Sequence, residues 1–194
     1  MPHTAPTDHP ISDLLNSRWS PYSFDPTRTV SSADLQAVFE AARWTMSAFN
    51  AQPWRYIVGV RATNETLWEQ VLNVLVEGNQ GWAQHAPVLA LGLVATHFEH
   101  NGKENSTAVH DLGAASANLT TEATARGLSI HQMSGIQPQV AIDTFTLPAD
   151  IVPITGMAIG YAGSNPSLDE NIALRDARPR ERKAMTDLVL AGSL

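Results

Sequence analysis

At 194 residues the chain can bury one substantial hydrophobic core but is short for two, and its 43% apolar and 16% charged residues mark a packed globular protein rather than a disordered or membrane-spanning one. A formal charge of −7 opposes nucleic-acid binding, because phosphate backbones reward a basic surface. The absence of cysteine excludes disulfides, thiolate nucleophiles and zinc–thiolate sites.

The opening stretch MPHTAPTDHP is polar and proline-rich, which predicts a flexible arm over residues 1–10 and a single domain over 11–194. It has neither the basic start nor the apolar stretch of a secretory signal, so a cytoplasmic location is expected. Ile11, Leu14 and Leu15 have helical spacing and predict a short helix ending near Arg18, broken by Pro21. After Asp25-Pro26, Ser31 or Ser32 can cap a helix with Leu35, Val38, Phe39 and Ala42 on one face, reaching Trp44. Residues 45–53 follow neither period and read as an ordered loop before a strand at 55–60.

A helix is expected over 65–77, interrupted by Gly78, Asn79 and Gly81, then a buried strand over 86–95 that is too short to cross a bilayer. Residues 97–106 are a polar connection. The small-residue helix over 109–126 stops at Gly127, and its alanines permit close packing either in the core or against another subunit. A polar or turn region then precedes a last core strand over 154–162. Residues 164–183 are polar and carry arginines at 175, 178, 180 and 182, before an apolar stretch from Met185 to Leu190.

Three segments carry the chemistry. Arg18-Trp19-Ser20 pairs a guanidinium with a hydroxyl, a set that can hold a phosphate, and Arg180-Glu181-Arg182 could close around the same group; solvated surface arginines are the commoner case. In SAFNAQPW, short polar groups before a rigid proline suit a loop approaching a flat ligand, with Asn50 or Gln52 bonding its edge. A structural turn explains that loop equally well, and Trp54 reads as core.

In order along the chain, RWSPYSF, EAARWTMSAFNAQPWRYIV, TARGLSIHQMSGI and RERKAMTDLV resemble the motifs of the nitroreductase family in its short form. The resemblance implies an α+β fold with a mixed central β-sheet flanked by helices, in an intertwined homodimer sharing two FMN sites. It places Arg18 and Ser20, with Trp19 between them, at the FMN phosphate, completed by Arg180 and Arg182. Ser47, Ala48 and Asn50, with Gln52 in the same loop, match the segment lying against the isoalloxazine, usually from the partner subunit. Asn79 falls near an asparagine that bonds the pyrimidine edge, and Gln132, Met133, Ser134 and Gly135 match a turn whose backbone faces flavin N5 and O4. No side chain is assigned as a catalytic acid or base.

The chain departs from the family pattern at Tyr22, where an arginine or lysine usually stands beside the pyrimidine, and at Trp82, where a second lysine is expected; Arg55 is a candidate substitute cation. Met46 and Ala184 stand in place of prolines. His97 and His100 have a spacing that could suggest a metal, but their polar run reads better as a solvated loop, while His131 falls beside the proposed flavin turn.

The activity so implied is an FMN-dependent oxidoreductase that takes electrons from transient NAD(P)H in a two-step cycle. Its acceptors would be small oxidised molecules such as nitroaromatics, quinones or enals, with no metal, nucleic-acid or membrane partner. The alternative is a flavin-binding or sensing protein of the same fold with little turnover, a reading Tyr22 and Trp82 encourage. Specialised chemistry under a lid is a third option, and the chain has no lid-sized insertion.

Overall fold

The computed structural model describes residues 4–192. A short helix α1 (Asp13–Ser17) leads through an irregular segment to α2 (Ser32–Arg43), whose first turn is capped by the Ser31 hydroxyl accepting from Asp34 N–H at 3.0 Å. Strand β1 (Trp54–Val60), helices α3 (Glu65–Val74) and α4 (Glu77–Ala83), strand β2 (Val88–Ala95) and helix α5 (Ala108–Ala125) follow. Strand β3 (Ser129–Met133), α6 (Pro138–Phe145), β4 (Ile151–Gly160), α7 (Glu170–Asp176) and α8 (Met185–Leu188) complete the order.

The strands form one sheet in the order β1-β2-β4-β3. Where the resemblance implied a mixed sheet, all three pairings within the chain are antiparallel. The helices cover both faces, giving the α+β class. Alternation along the fully buried β2 divides the core: Val88, Ala90 and Val94 face α2 and α5, while Leu89, Leu91 and Leu93 face α3 and the α4 segment. A bulge between Gly92 and Leu93 of β2 adds a residue to β4 near Pro153, where a missing N–H is least costly.

Helix α5 uses its small residues inside the subunit: Ala115, Leu119 and Ala123 are buried in the cluster that also holds α2 and the sheet. Its opposite side, with Val109, Gly113 and Ala117, is exposed. The helix stops at Gly127, whose φ of +72° is a left-handed conformation that glycine adopts without a Cβ penalty.

Three elements differ from the sequence reading. Gly78, Asn79 and Gly81 do not interrupt a helix but lie within α4, which is anchored by the buried Trp82 and Ala83. The turn expected over Gln132–Gly135 begins as the end of β3, so Gln132 and Met133 are strand residues. The polar region that follows contains α6. Residues 1–3 of the expected arm lie outside the described residues, and at Ala5 the arm is fastened, its N–H donating to Asn16.

Candidate functional site

The two ends of the chain meet at a cavity of about 220 Å³ beside the N-terminal segment. Arg18, Trp19, Ser20 and Tyr22 line it from one side and Arg180 and Arg182 from the other, with Arg175, Asp176 and Arg178 between. Arg18 donates to Ser20 Oγ at 3.2 Å, holding the guanidinium and the hydroxyl together. Arg180 donates to the Asn16 carbonyl, which brings the tail against the end of α1.

The electrostatics are those of an anion site. Burial, then the neighbouring guanidiniums of Arg180 and Arg182, hold Arg18 below its ordinary pKa; burial and Arg182 do the same to Arg180. Like charges gathered in a partly buried cleft raise the free energy of the empty site and are relieved by a bound anion.

Next to the cavity stands an aromatic wall. Tyr22 meets Trp82 edge-on with ring centroids 5.1 Å apart and His131 at 4.6 Å, and Trp82 and His131 are 4.5 Å apart. His131 Nδ1 lies 2.9 Å from the Pro21 carbonyl; since that oxygen only accepts, Nδ1 carries the proton and Nε2 is the free acceptor of the neutral ring. Burial pushes the His131 pKa down, against smaller opposite pulls from the Pro21 bond and Asp176. Trp82 is 1% exposed, so it is a core residue and not a cofactor-facing replacement for a lysine. The Arg175 guanidinium lies over the Tyr22 ring, 5.4 Å from its centroid. Arg55 is engaged elsewhere, with Gln52 O, Trp54 O and Glu99.

Asn79 and Gly135 adjoin each other. Asn79 Nδ2 donates to the Gly135 carbonyl at 3.0 Å, and Val76 N–H donates to the same oxygen at 3.1 Å. A Cβ at position 135 would run into Asn79 Nδ2 and Val76 Cγ2, so any larger residue must displace one of these side chains. Ser134 is exposed between β3 and this contact, while the Met133 carbonyl accepts from Thr155 Oγ1. The Gln132 side chain points to the other face of the sheet, donating to Ser116 O and Thr120 Oγ1 of α5.

The Ser47–Gln52 loop is held away from these groups. Ala48 N–H donates to Asp111 Oδ2 at 3.2 Å, Ser47 Oγ accepts from Gln52 N–H, and Gln52 Nε2 donates to Asn50 O. Phe49, Asn50 and Gln52 all have positive φ (53°, 53° and 47°), a strained run for residues other than glycine. It presents Phe49, 84% exposed, beside Phe98 and His100. Within one chain, then, Arg18, Ser20, Arg180 and Arg182 come together with Trp19 and Tyr22, Asn79 joins Gly135, and Ser47, Ala48, Asn50 and Gln52 form a separate loop.

Sequence reasoning missed Asp176 and Asn16, whose bonds span more than 150 residues and have no local signal. His97 and His100 bond to their neighbours Thr96 and Asn101, and among the described residues no cluster of three or more metal-binding side chains exists. No helix among them is long and apolar enough to cross a membrane.

The chain is similar to an uncharacterized 15.4 kDa protein of Mycolicibacterium smegmatis, 37% identical over 145 residues that cover 71% of this chain and 95% of that one. It is also similar to the solved structure of an oxidoreductase containing FMN, at 30% identity and a TM-score of 0.89, with 97% of this chain and 95% of the other covered. A shorter likeness joins it to the major NAD(P)H-flavin oxidoreductase of Aliivibrio fischeri, 42% identical over 50 residues, 26% of this chain and 23% of that protein. The nitroreductase family model matches residues 15–161, and the chain belongs to the nitroreductase family.

Proposed function

We propose that this protein is an FMN-dependent oxidoreductase that takes electrons from NAD(P)H and passes them to small oxidised acceptors such as nitroaromatics, quinones or enals. The observation that carries the reading is the convergence of Arg18, Arg180 and Arg182 with Ser20 on one cavity. The likeness to an FMN-containing oxidoreductase over nearly the full chain supports the cofactor, and the shorter likeness to an NAD(P)H-flavin oxidoreductase supports the donor.

The residues present fit the group. Arg18, Arg180 and Arg182 supply fixed positive charge and Ser20 a neutral donor for a phosphate dianion, with Trp19 and Tyr22 in the same wall. Asn79, Met133, Ser134 and Gly135 would meet the ring edge, Asn79 being held in place by Gly135. The bound cofactor would supply hydride-accepting and electron-donating chemistry in two half-reactions, one with the nicotinamide and one with the acceptor. The protein's own task is to bind, orient and shield, and no side chain is assigned proton transfer.

The Ser47–Gln52 loop bonds to α5 and does not line the arginine cavity, which fits a cofactor shared with a second copy of the chain. Exposed Trp44, Met46, Phe49 and Val109 supply apolar surface for a homodimer. A cytoplasmic location belongs to the same reading.

The test is the absorbance spectrum of the purified protein, followed by separate anaerobic titrations with NADH and NADPH. A yellow protein bleached by either nucleotide is expected; a colourless protein unable to take up FMN defeats the reading. Tyr22, a neutral residue where the resemblance expects a cation, favours one alternative, a flavin-binding or sensing protein with little turnover. FMN binding without nicotinamide oxidation would select that alternative.

A further inference from the structure

Asp176 is the only acidic side chain among the described residues lining the 220 Å³ arginine cavity. A carboxylate in that wall repels any anion the guanidiniums attract, so its presence calls for a compensating task. Its bonds supply one. Oδ1 accepts from Tyr22 N–H and Oδ2 from Ser23 N–H, each at 2.8 Å, so both oxygens grip consecutive peptides 154 and 153 residues away.

The tail needs such a grip. Neither α7 nor α8 contains a buried residue, and among the described residues of the tail only Leu168 and Ile172 pack partly on the core, so apolar burial alone holds this segment weakly. Polar stitches fasten it, among them Asp176 to Tyr22 and Ser23, and Arg180 to the Asn16 carbonyl. Arg18 and Ser20 lie in the stretch between the two attachment points on the N-terminal side.

We propose that Asp176 is a positioning residue that assembles the anion cavity, its carboxylate clasping the Tyr22 and Ser23 amides so that Arg180 and Arg182 are delivered to Arg18. The inference rests on the phosphate-site reading above. Charge-assisted bonds of a carboxylate to backbone N–H groups are stronger than neutral ones, and pre-ordering the tail removes an entropic cost from anion binding. The consequence is specific: losing the clasp weakens recognition of the phosphate more than recognition of the ring.

The experiment compares FMN with riboflavin, which has the same ring without phosphate, on the full-length apoprotein by flavin fluorescence, together with amide exchange at Tyr22 and Ser23 without ligand. In Asp176→Ala, FMN affinity is expected to fall at least tenfold while riboflavin affinity stays within about twofold, since charge-assisted bonds to the anion are the interactions lost. Exchange at both amides should accelerate. Asp169→Ala, which removes the cap of α7 without touching Tyr22 or Ser23, should keep the wild-type FMN-to-riboflavin ratio.

An unchanged ratio in Asp176→Ala, equal loss of both ligands, or the same collapse in Asp169→Ala overturns the proposal. A wild-type protein with no preference for FMN overturns instead the phosphate-site reading on which it stands. The exchange readout separates the two failures, because it reports the clasp without any flavin.

Discussion

Asn79 and Gly135 are locked by a hydrogen bond from the Asn79 amide to the Gly135 carbonyl at 3.0 Å, so close that a Cβ at position 135 would have to displace the Asn79 side chain. The contact ties α4 to the turn after β3 and sets that turn's backbone direction. Gly135→Ala must push either Asn79 or the turn aside, and overpacking of this kind costs about 1–3 kcal/mol. The melting temperature should fall by roughly 2–4 °C for each kcal/mol in a chain of this size. Asn79→Ala should cost less, because Val76 N–H still satisfies the same carbonyl. Thermal melts of the two variants check the order.

Removing Arg18 separates function from stability. Arg18→Ala deletes a charged bond to the proposed phosphate, and charge-assisted bonds contribute about 1.5–3 kcal/mol, so FMN affinity should weaken more than tenfold. The same change relieves the repulsion that Arg180 and Arg182 exert on Arg18, so the melting temperature of the flavin-free protein should hold or rise. Isothermal titration with FMN, paired with a melt of the apoprotein, reads both. An apoprotein that melts markedly lower would show that Arg18 is structural.

Such a pairing of chain ends was partly legible beforehand. The residues alone leave Arg18, Arg180 and Arg182 open between a phosphate site and solvated arginines, and the family resemblance is what joins them, whereas α2, β1, β2 and α5 follow from apolar period, the Ser31 cap and the Gly127 stop. Strand β3 was hidden because its alternation is polar: Gln132 reaches α5 and His131 reaches Pro21, so neither position advertises burial. Helix α4 was hidden because Gly78 and Gly81 lower its intrinsic propensity, and packing of Trp82 and Ala83 overrides them. Asp176 had no local signature at all, since its partners are the backbone amides of a distant segment.

Stability should weaken in mild acid through His131. Burial is the largest influence on its pKa and lowers it from 6.5, so the folded state prefers the neutral ring. The sign follows: the contribution is complete above the unfolded value near 6.5 and is lost as pH falls from there through the folded value, because the unfolded chain binds the proton more readily. His85 is shifted the same way by burial and Arg61, so the two share the slope. His131→Asn keeps a donor for the Pro21 carbonyl and removes the titration. Melts between pH 7.5 and 5.5 should show a shallower loss in this variant than in wild type; an identical loss would assign the slope to other groups.

Tyr22 offers the sharpest test of how the aromatic wall tunes a bound flavin. With Trp82 fully buried and Arg55 committed to Gln52, Trp54 and Glu99, neither replaces the cation expected at Tyr22. The Tyr22 ring has Arg175 5.4 Å from its centroid, and Tyr22 lines the same cavity as Arg18, Arg178, Arg180 and Arg182. Under the proposed function, the Tyr22 side chain itself would add no positive charge to stabilise a reduced flavin. Tyr22→Arg introduces a charge at the position where the family resemblance expects one, at the expense of the ring contacts with Trp82 and His131. The midpoint potential of the bound cofactor should rise, by about 30 mV for every 1.4 kcal/mol of preferential stabilisation of the two-electron reduced state. Spectroelectrochemical titration of the two holoproteins measures the shift directly, and an unchanged or lower potential would mean that Tyr22 does not face the ring.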